Sequence, residues 1–139
     1  MALTIKFANI EDRDLLVDFF SKHLEKDNDG IYSEEFTCPY GIKRAINRNQ
    51  IVIAKDDKQI IGALRFYPQK KKDITSLYQF AIIKNRRGKE LLKTMLRETK
   101  NKTIQSRCKK EAKFNEYYKK TGRKLIKTDK HGNLRQLEL

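Results

Sequence analysis

The sequence predicts a mixed α/β fold, a mixed sheet with helices on its faces. Three observations carry this. Segments of alternating or β-branched residues recur along the chain, and two of them are joined by a short polar turn that reads as a hairpin. Between them lie stretches whose apolar residues repeat at helical spacing. The two kinds follow one another as β-α-α-β-β-β-α-β-α-β-β, so strand pairs alternate with helical crossovers. With 139 residues, 38% of them apolar, the chain is long enough for one core and short for two. Residues 1–139 are expected to form a single domain.

Each element has a local reason. Leu3 to Phe7 alternates as a short strand does. Asn9, with Asp12 three residues on, is the start of a helix. Leu15, Leu16, Phe19, Phe20 and Leu24 give that helix an apolar face as far as about Lys26, before Asp27-Asn-Asp-Gly30 breaks it. A shorter helix begins after Pro39 and ends near Arg48. Gln50 to Ala54 and Gln59 to Tyr67 are hairpin partners around Asp56-Asp57-Lys58. Gly62 inside the second run marks a bulge or a close backbone approach. Ile74 to Ile83 is a strand; from Arg87 the period turns helical, with Leu91, Leu92, Met95 and Leu96 on one face. Lys102 to Cys108 is a weak strand and Lys109 to Lys120 a helix ended by Gly122. Arg123 to Thr128 and Leu134 to Leu139 are final strands around the turn at 129–133.

Composition excludes several classes. No apolar run approaches the ~18–20 residues that cross a bilayer. The start, Met1 to Phe7, has no basic region followed by an apolar stretch, so no signal peptide is expected. Cys38 and Cys108 form neither a metal-like pair nor a disulfide framework, and His23 and His131 complete no zinc pattern, so no metal site and a reducing, cytoplasmic setting are expected. The formal net charge is +14, and it is uneven. Residues 1–69 hold 10 basic and 11 acidic side chains; residues 70–139 hold 22 and 7. A field of that sign attracts phosphates, whether of a nucleic acid, an anionic membrane or a polyphosphate cofactor. A solvated lysine-rich surface is the plain alternative.

The most informative stretch runs from Tyr78 to Leu96. A strand enters a basic turn containing one glycine, and a helix begins at once. Backbone N–H groups at that helix start, with Arg86, Arg87 and Lys89 around them, form an anion site suited to pyrophosphate. An ordinary strand-to-helix turn with solvated basic residues is the competing reading. Neither a Walker lysine loop nor a dinucleotide fingerprint occurs.

Arg87-Gly88-Lys89 resembles the opening of the Arg/Gln-x-x-Gly-x-Gly/Ala signature of the GNAT superfamily of acyl-CoA-dependent N-acyltransferases. Glu90 and Leu92 stand where that signature has Gly and Gly or Ala. Phe114-Asn-Glu-Tyr-Tyr-Lys-Lys-Thr-Gly122 resembles the family's late Phe/Leu-Tyr-x-Lys-x-Gly helix, with Arg123 in place of the aromatic residue that often follows. Together with Gly62 in the third strand, these stretches appear in the family's order over nearly the whole chain.

The resemblance implies a sheet splayed between its fourth and fifth strands and acetyl-CoA as co-substrate. It places the pantetheine arm at Phe80, Ala81 and Ile82, with a backbone N–H there for the oxyanion, and the pyrophosphate on Arg87, Gly88, Lys89, Glu90, Leu91 and Leu92. Tyr118 takes the position that protonates the departing thiolate. Glu34, Glu35 and Tyr78 are the candidates on the side of the acceptor, a small-molecule or peptide amine; the acidic loop would attract a cationic amine. The alternative is a basic nucleic-acid-binding or interaction protein on the same fold with a decayed cofactor site. Lys70, Lys71, Lys72, Lys109, Lys110, Lys119, Lys120, Arg123 and Lys124 would then hold the phosphate backbone.

Overall fold

Four consecutive apolar residues, Ile51 to Ala54, demand cover on both faces of a strand, because neighbours along a strand point to opposite sides. They obtain it in β2 (Ile51–Asp56), where all four are buried. The computed structural model describes residues 3–23, 38–68, 73–86, 90–108, 119–120, 122–130 and 132–139. β2 belongs to a seven-stranded sheet with β1 (Leu3–Phe7), β3 (Gln59–Pro68), β4 (Ile74–Ile82), β5 (Thr103–Cys108), β6 (Lys124–Asp129) and β7 (Gly132–Glu138). The order across the sheet is β1-β2-β3-β4-β5-β7-β6. Only β4 and β5 run parallel; every other neighbouring pair is antiparallel. The expected mixed sheet holds, as does the element order over the described residues. Of the expected helix over 109–120, only Lys119 and Lys120 lie among the described residues, and both are helical.

Two cores sit on opposite faces. Helices α1 (Arg13–His23) and α2 (Pro39–Asn47) cover one, where Leu16, Phe20, Ile42 and Ile46 pack on Ile51, Ile53, Ala63 and Ala81. Helix α3 (Leu91–Arg97) covers the other, where Leu91, Met95 and Leu96 pack on Val52, Leu64, Leu77 and Ile104. A bulge in β3 serves both. Ala54 faces Gly62 and Lys55 faces Ile60, so Ile61 is an inserted residue. Ile60 enters the α1/α2 core and Ile61 the α3 core.

Local signals set the helix starts. Asn9 accepts a hydrogen bond from the Glu11 N–H and donates its own N–H to Asp12 Oδ2 at 2.9 Å, closing the predicted capping box. The first turn, Ile10–Asp12, is 3-10 rather than α. Pro39 occupies the first turn of α2, where its missing N–H costs nothing. One expectation fails: Leu15 points outward and is 48% exposed. It lies about 100° around the helix from Leu16, and the buried stripe is Leu16, Phe19 and Phe20.

Asp12 ties this corner together. It is buried, and it accepts from Lys55 Nζ on β2 at 2.8 Å while Lys6 Nζ on β1 stands 3.7 Å away. Burial pushes its carboxyl up; the bonds from Lys55 and the Asn9 N–H, with the charges of Lys55 and Lys6, outweigh this and hold it below its ordinary value of 3.8. A carboxyl lowered by folding stabilises the protein above its unfolded pKa, and that stabilisation fades as pH falls through the folded value. The urea midpoint should therefore drop as pH descends below about 4, and Asp12→Asn should flatten that drop. At pH 7 the same variant should lose about 1–3 kcal/mol, since it removes a charge-assisted bond between buried Asp12 and half-buried Lys55. A midpoint with the same pH dependence in both proteins would remove Asp12 from this role.

Gly62 sets how closely α3 lies on the sheet. A Cβ there would sit 3.3 Å from Met95 Sδ, 3.5 Å from Ile82 Cγ1 and 3.6 Å from Leu91 Cδ2. Gly62→Val drives two further carbons into that space and should cost about 1–3 kcal/mol, read as a lower melting temperature. An unchanged melting temperature would mean that the helix does not rest there.

Candidate functional site

The parallel pair β4–β5 is in register from Ile74–Thr103 to Leu77–Ser106, and there the ladder stops. Both strands continue without each other. β4 runs on against β3 as far as Gly62–Ile82, and β5 runs on against β7 to Cys108–Asn133. A wedge thus opens in the middle of the sheet. On the β3 side, the Ile83 N–H donates to the Ile61 carbonyl at 3.0 Å. Antiparallel pairs alternate, so Ala81 and Gln79 also turn their main chains toward β3, whereas Phe80 and Ile82 turn theirs toward the β5 side. Of the three residues expected along the pantetheine arm, Phe80 and Ile82 therefore have main chains directed to the wedge and Ala81 does not.

The opening coincides with a second bulge. Arg65 faces Gln79 and Phe66 faces Leu77, so Tyr78 is the inserted residue. The insertion changes which face the strand presents. Leu77 points into the α3 core, whereas Gln79 continues the row of Ala81 on the α1/α2 face. Tyr78 turns to the same side. Its ring meets that of Tyr67 edge-on, with centroids 5.0 Å apart, and the Arg65 guanidinium carbon lies 5.2 Å from the Tyr78 centroid and 5.7 Å from that of Tyr67. At the apex, on the α3 face, Ser106 is buried and its Oγ has no hydrogen-bond partner.

The turn before α3 has a distinct backbone. Glu90 is left-handed, with φ 59° and ψ 15°, and its side chain caps nothing. It is exposed, and its carbonyl accepts from the Thr94 N–H and hydroxyl. A left-handed residue here explains physically why a glycine suits this position. Leu91 and Leu92 are buried in the core, so only their main chains remain for a ligand. Arg86 differs from its expected role as an anion ligand: its guanidinium donates to the Asp56 carboxylate, which commits its charge to pinning the turn after β4 to the end of β2. Arg87, Gly88, Lys89, Tyr118, Glu34 and Glu35 lie outside the described residues, as do Lys70, Lys71, Lys72, Lys109 and Lys110. Lys119, Lys120 and Lys124 are exposed, but Arg123 is 4% exposed and does not belong to a basic outer face.

Sequence reasoning missed Arg65, Gln79 and Ser106. The first two had a signal: each is a polar residue in a strand at the position of an inward-facing row, Ala63-Arg65 on β3 and Gln79-Ala81 on β4. Ser106 had none, because its place at the apex depends on where two strands part. Among the described residues no helix is long and apolar enough to cross a membrane and no group of three or more metal-binding side chains gathers.

Comparison with known proteins agrees with this fold. The fold is similar to that of the PaiA N-acetyltransferase from Thermoplasma acidophilum in complex with coenzyme A, with a TM-score of 0.77 and 20% identity over 100% of both chains. It is also similar to a GNAT-family acetyltransferase from Listeria monocytogenes, with a TM-score of 0.68 and 16% identity over 99% of this chain and 95% of that one. A third, a GNAT-family acetyltransferase from Staphylococcus aureus, gives 0.70 and 15% over 99% of each. Identities this low speak for the fold alone. No curated protein sequence matches the chain. The model of the acetyltransferase (GNAT) family matches residues 13–122, most of the chain and both of its motif-bearing stretches. The chain belongs to the GNAT family of acetyltransferases, enzymes that take their acyl group from acetyl-CoA.

Proposed function

We propose that the chain transfers an acetyl group from acetyl-CoA to the amine of a small acceptor by direct attack at the mouth of the β4–β5 wedge. The observation that carries this reading is the ladder ending at Leu77–Ser106 while β4 continues to Ile82. An extended pantetheine arm fits such an opening. Its amides would meet the main chains of Phe80 and Ile82, and the buried Ser106 hydroxyl at the apex would gain the partner it lacks. The main chain of the turn from Arg87 to Leu92 would hold the pyrophosphate, with the Arg87 and Lys89 charges beside it.

The acceptor would approach from the α1/α2 face, to which Tyr78 turns, and the charges of Glu34 and Glu35 would attract a cationic amine. Holding both reactants makes the encounter effectively unimolecular. The amine nitrogen attacks the carbonyl carbon, a C–N bond forms and the C–S bond breaks. A backbone N–H directed at the wedge would steady the developing oxyanion. A phenol is in general protonated at neutral pH and suited to act as an acid, so Tyr118 would give its proton to the leaving thiolate. The proton lost by the amine would leave through water.

Acetyl-CoA at ~100 times its dissociation constant should stabilise the protein by ~2.7 kcal/mol, visible as a melting temperature several degrees higher. No rise at millimolar acetyl-CoA would remove the proposal. Glu90→Gly should help twice. It relieves a left-handed backbone by up to ~1 kcal/mol, and it takes a negative charge away from the pyrophosphate, so acetyl-CoA should bind more tightly. Weaker binding by that variant would place the pyrophosphate elsewhere.

Tyr118→Phe should lower kcat by about 10²-fold with the acetyl-CoA dissociation constant unchanged, because only a transition-state proton transfer is lost. Unaltered turnover would reject Tyr118 as the acid.

A further inference from the structure

Gln79 is 3% exposed, and neither its amide nitrogen nor its amide oxygen has a hydrogen-bond partner. Arg65 stands directly opposite it across the β3–β4 pair, and the buried Nε of Arg65 has no partner either. No carboxylate among the described residues pairs with Arg65. The two side chains continue the row of Ala63 and Ala81, which face α1 and α2, and they sit beside the bulge at Tyr78 where β4 leaves β5. Buried polar groups are nearly always satisfied, and a cluster with both members unsatisfied signals a missing partner.

The chemistry of that partner follows from the donors. The rings of Tyr67 and Tyr78 attract the guanidinium through their faces. They occupy none of its in-plane N–H donors, of which the buried Nε has no partner. A planar anion with two oxygens satisfies such a fork and the Gln79 N–H together, and a carboxylate is that shape. The Gln79 carbonyl is then left to accept from an ammonium on the same ligand. Resting on the acetyl-transfer reading above, we infer that Arg65 and Gln79 form a carboxylate subsite for the acceptor, and that the acceptor is an amino acid rather than a simple amine or polyamine. Arg65 binds the carboxylate, Gln79 bridges carboxylate and amine, and Tyr67 and Tyr78 hold the guanidinium in place.

The test compares L-amino acids with the amines left by their decarboxylation, such as lysine against 1,5-diaminopentane and ornithine against 1,4-diaminobutane. The carboxylated member of an active pair should be favoured by about 10- to 100-fold in kcat/KM, the value of a hydrogen-bonded charge. It should also raise the melting temperature of the free protein, a readout that needs no turnover. Arg65→Gln should abolish both preferences while stabilisation by acetyl-CoA stays intact. Gln79→Glu supplies a carboxylate opposite Arg65 from within the protein. It should raise the melting temperature and erase the preference, which keeps the inference testable should Arg65→Gln fold poorly. Plain amines used as well as amino acids, or an amino-acid preference that survives Gln79→Glu, would overturn the subsite and leave acetyl transfer standing. Failure of acetyl-CoA to stabilise the protein would overturn both.

Discussion

The early end of the β4–β5 ladder is the constraint on which the rest of the molecule turns. A parallel pair that stops pairing inside a sheet turns main chain in the middle of a domain toward partners other than the neighbouring strand. Strong flanking pairs make this tolerable. β4 remains bonded to β3 as far as Ile82, and β5 remains bonded to β7 as far as Cys108. The opening is therefore held by rigid elements on both sides and not by loops. On the proposed reading, the arm of acetyl-CoA, the co-substrate of this family, would lie there.

The bulge at Tyr78 gives the opening two unlike faces. Before it, Leu77 belongs to the apolar core beneath α3; after it, Gln79 belongs to the row facing α1 and α2. One inserted residue thus turns the strand from core packing to polar presentation at the point where the sheet opens. Tyr78 and Gln79 both become neighbours of Arg65. Gly62 supports the arrangement from the other side by letting α3 lie close against the sheet.

The charges divide by what surrounds them. Asp12 and Asp56 are met by Lys55, Lys6 and Arg86, and these pairs join the ends of β1, β2 and β4. Their work is to hold the frame. Arg65 has aromatic rings beside it and, among the described residues, no acid. An arginine kept half-buried without an anion sits against a substantial desolvation cost, and cation–π contact offsets only part of it. That contrast, more than the net charge of +14, separates the cation proposed to meet the acceptor from those that hold the frame.

The strands, the hairpin, the capping box at Asn9 and the glycine required at position 62 were readable from local pattern, because each depends on residues a few positions apart. So was the family, since its motifs are contiguous. Leu15 was misread because an apolar face several residues wide leaves open which edge of it meets the sheet. Arg86 was misread because its partner, Asp56, is thirty residues away. That β4 parts from β5 followed from the resemblance, but where the ladder ends, the bulge at Tyr78, and the meeting of Arg65 with Gln79 were decided by tertiary structure alone. Each is a matter of register between segments distant in the chain, and a shift of one residue in pairing moves every side chain to the other face.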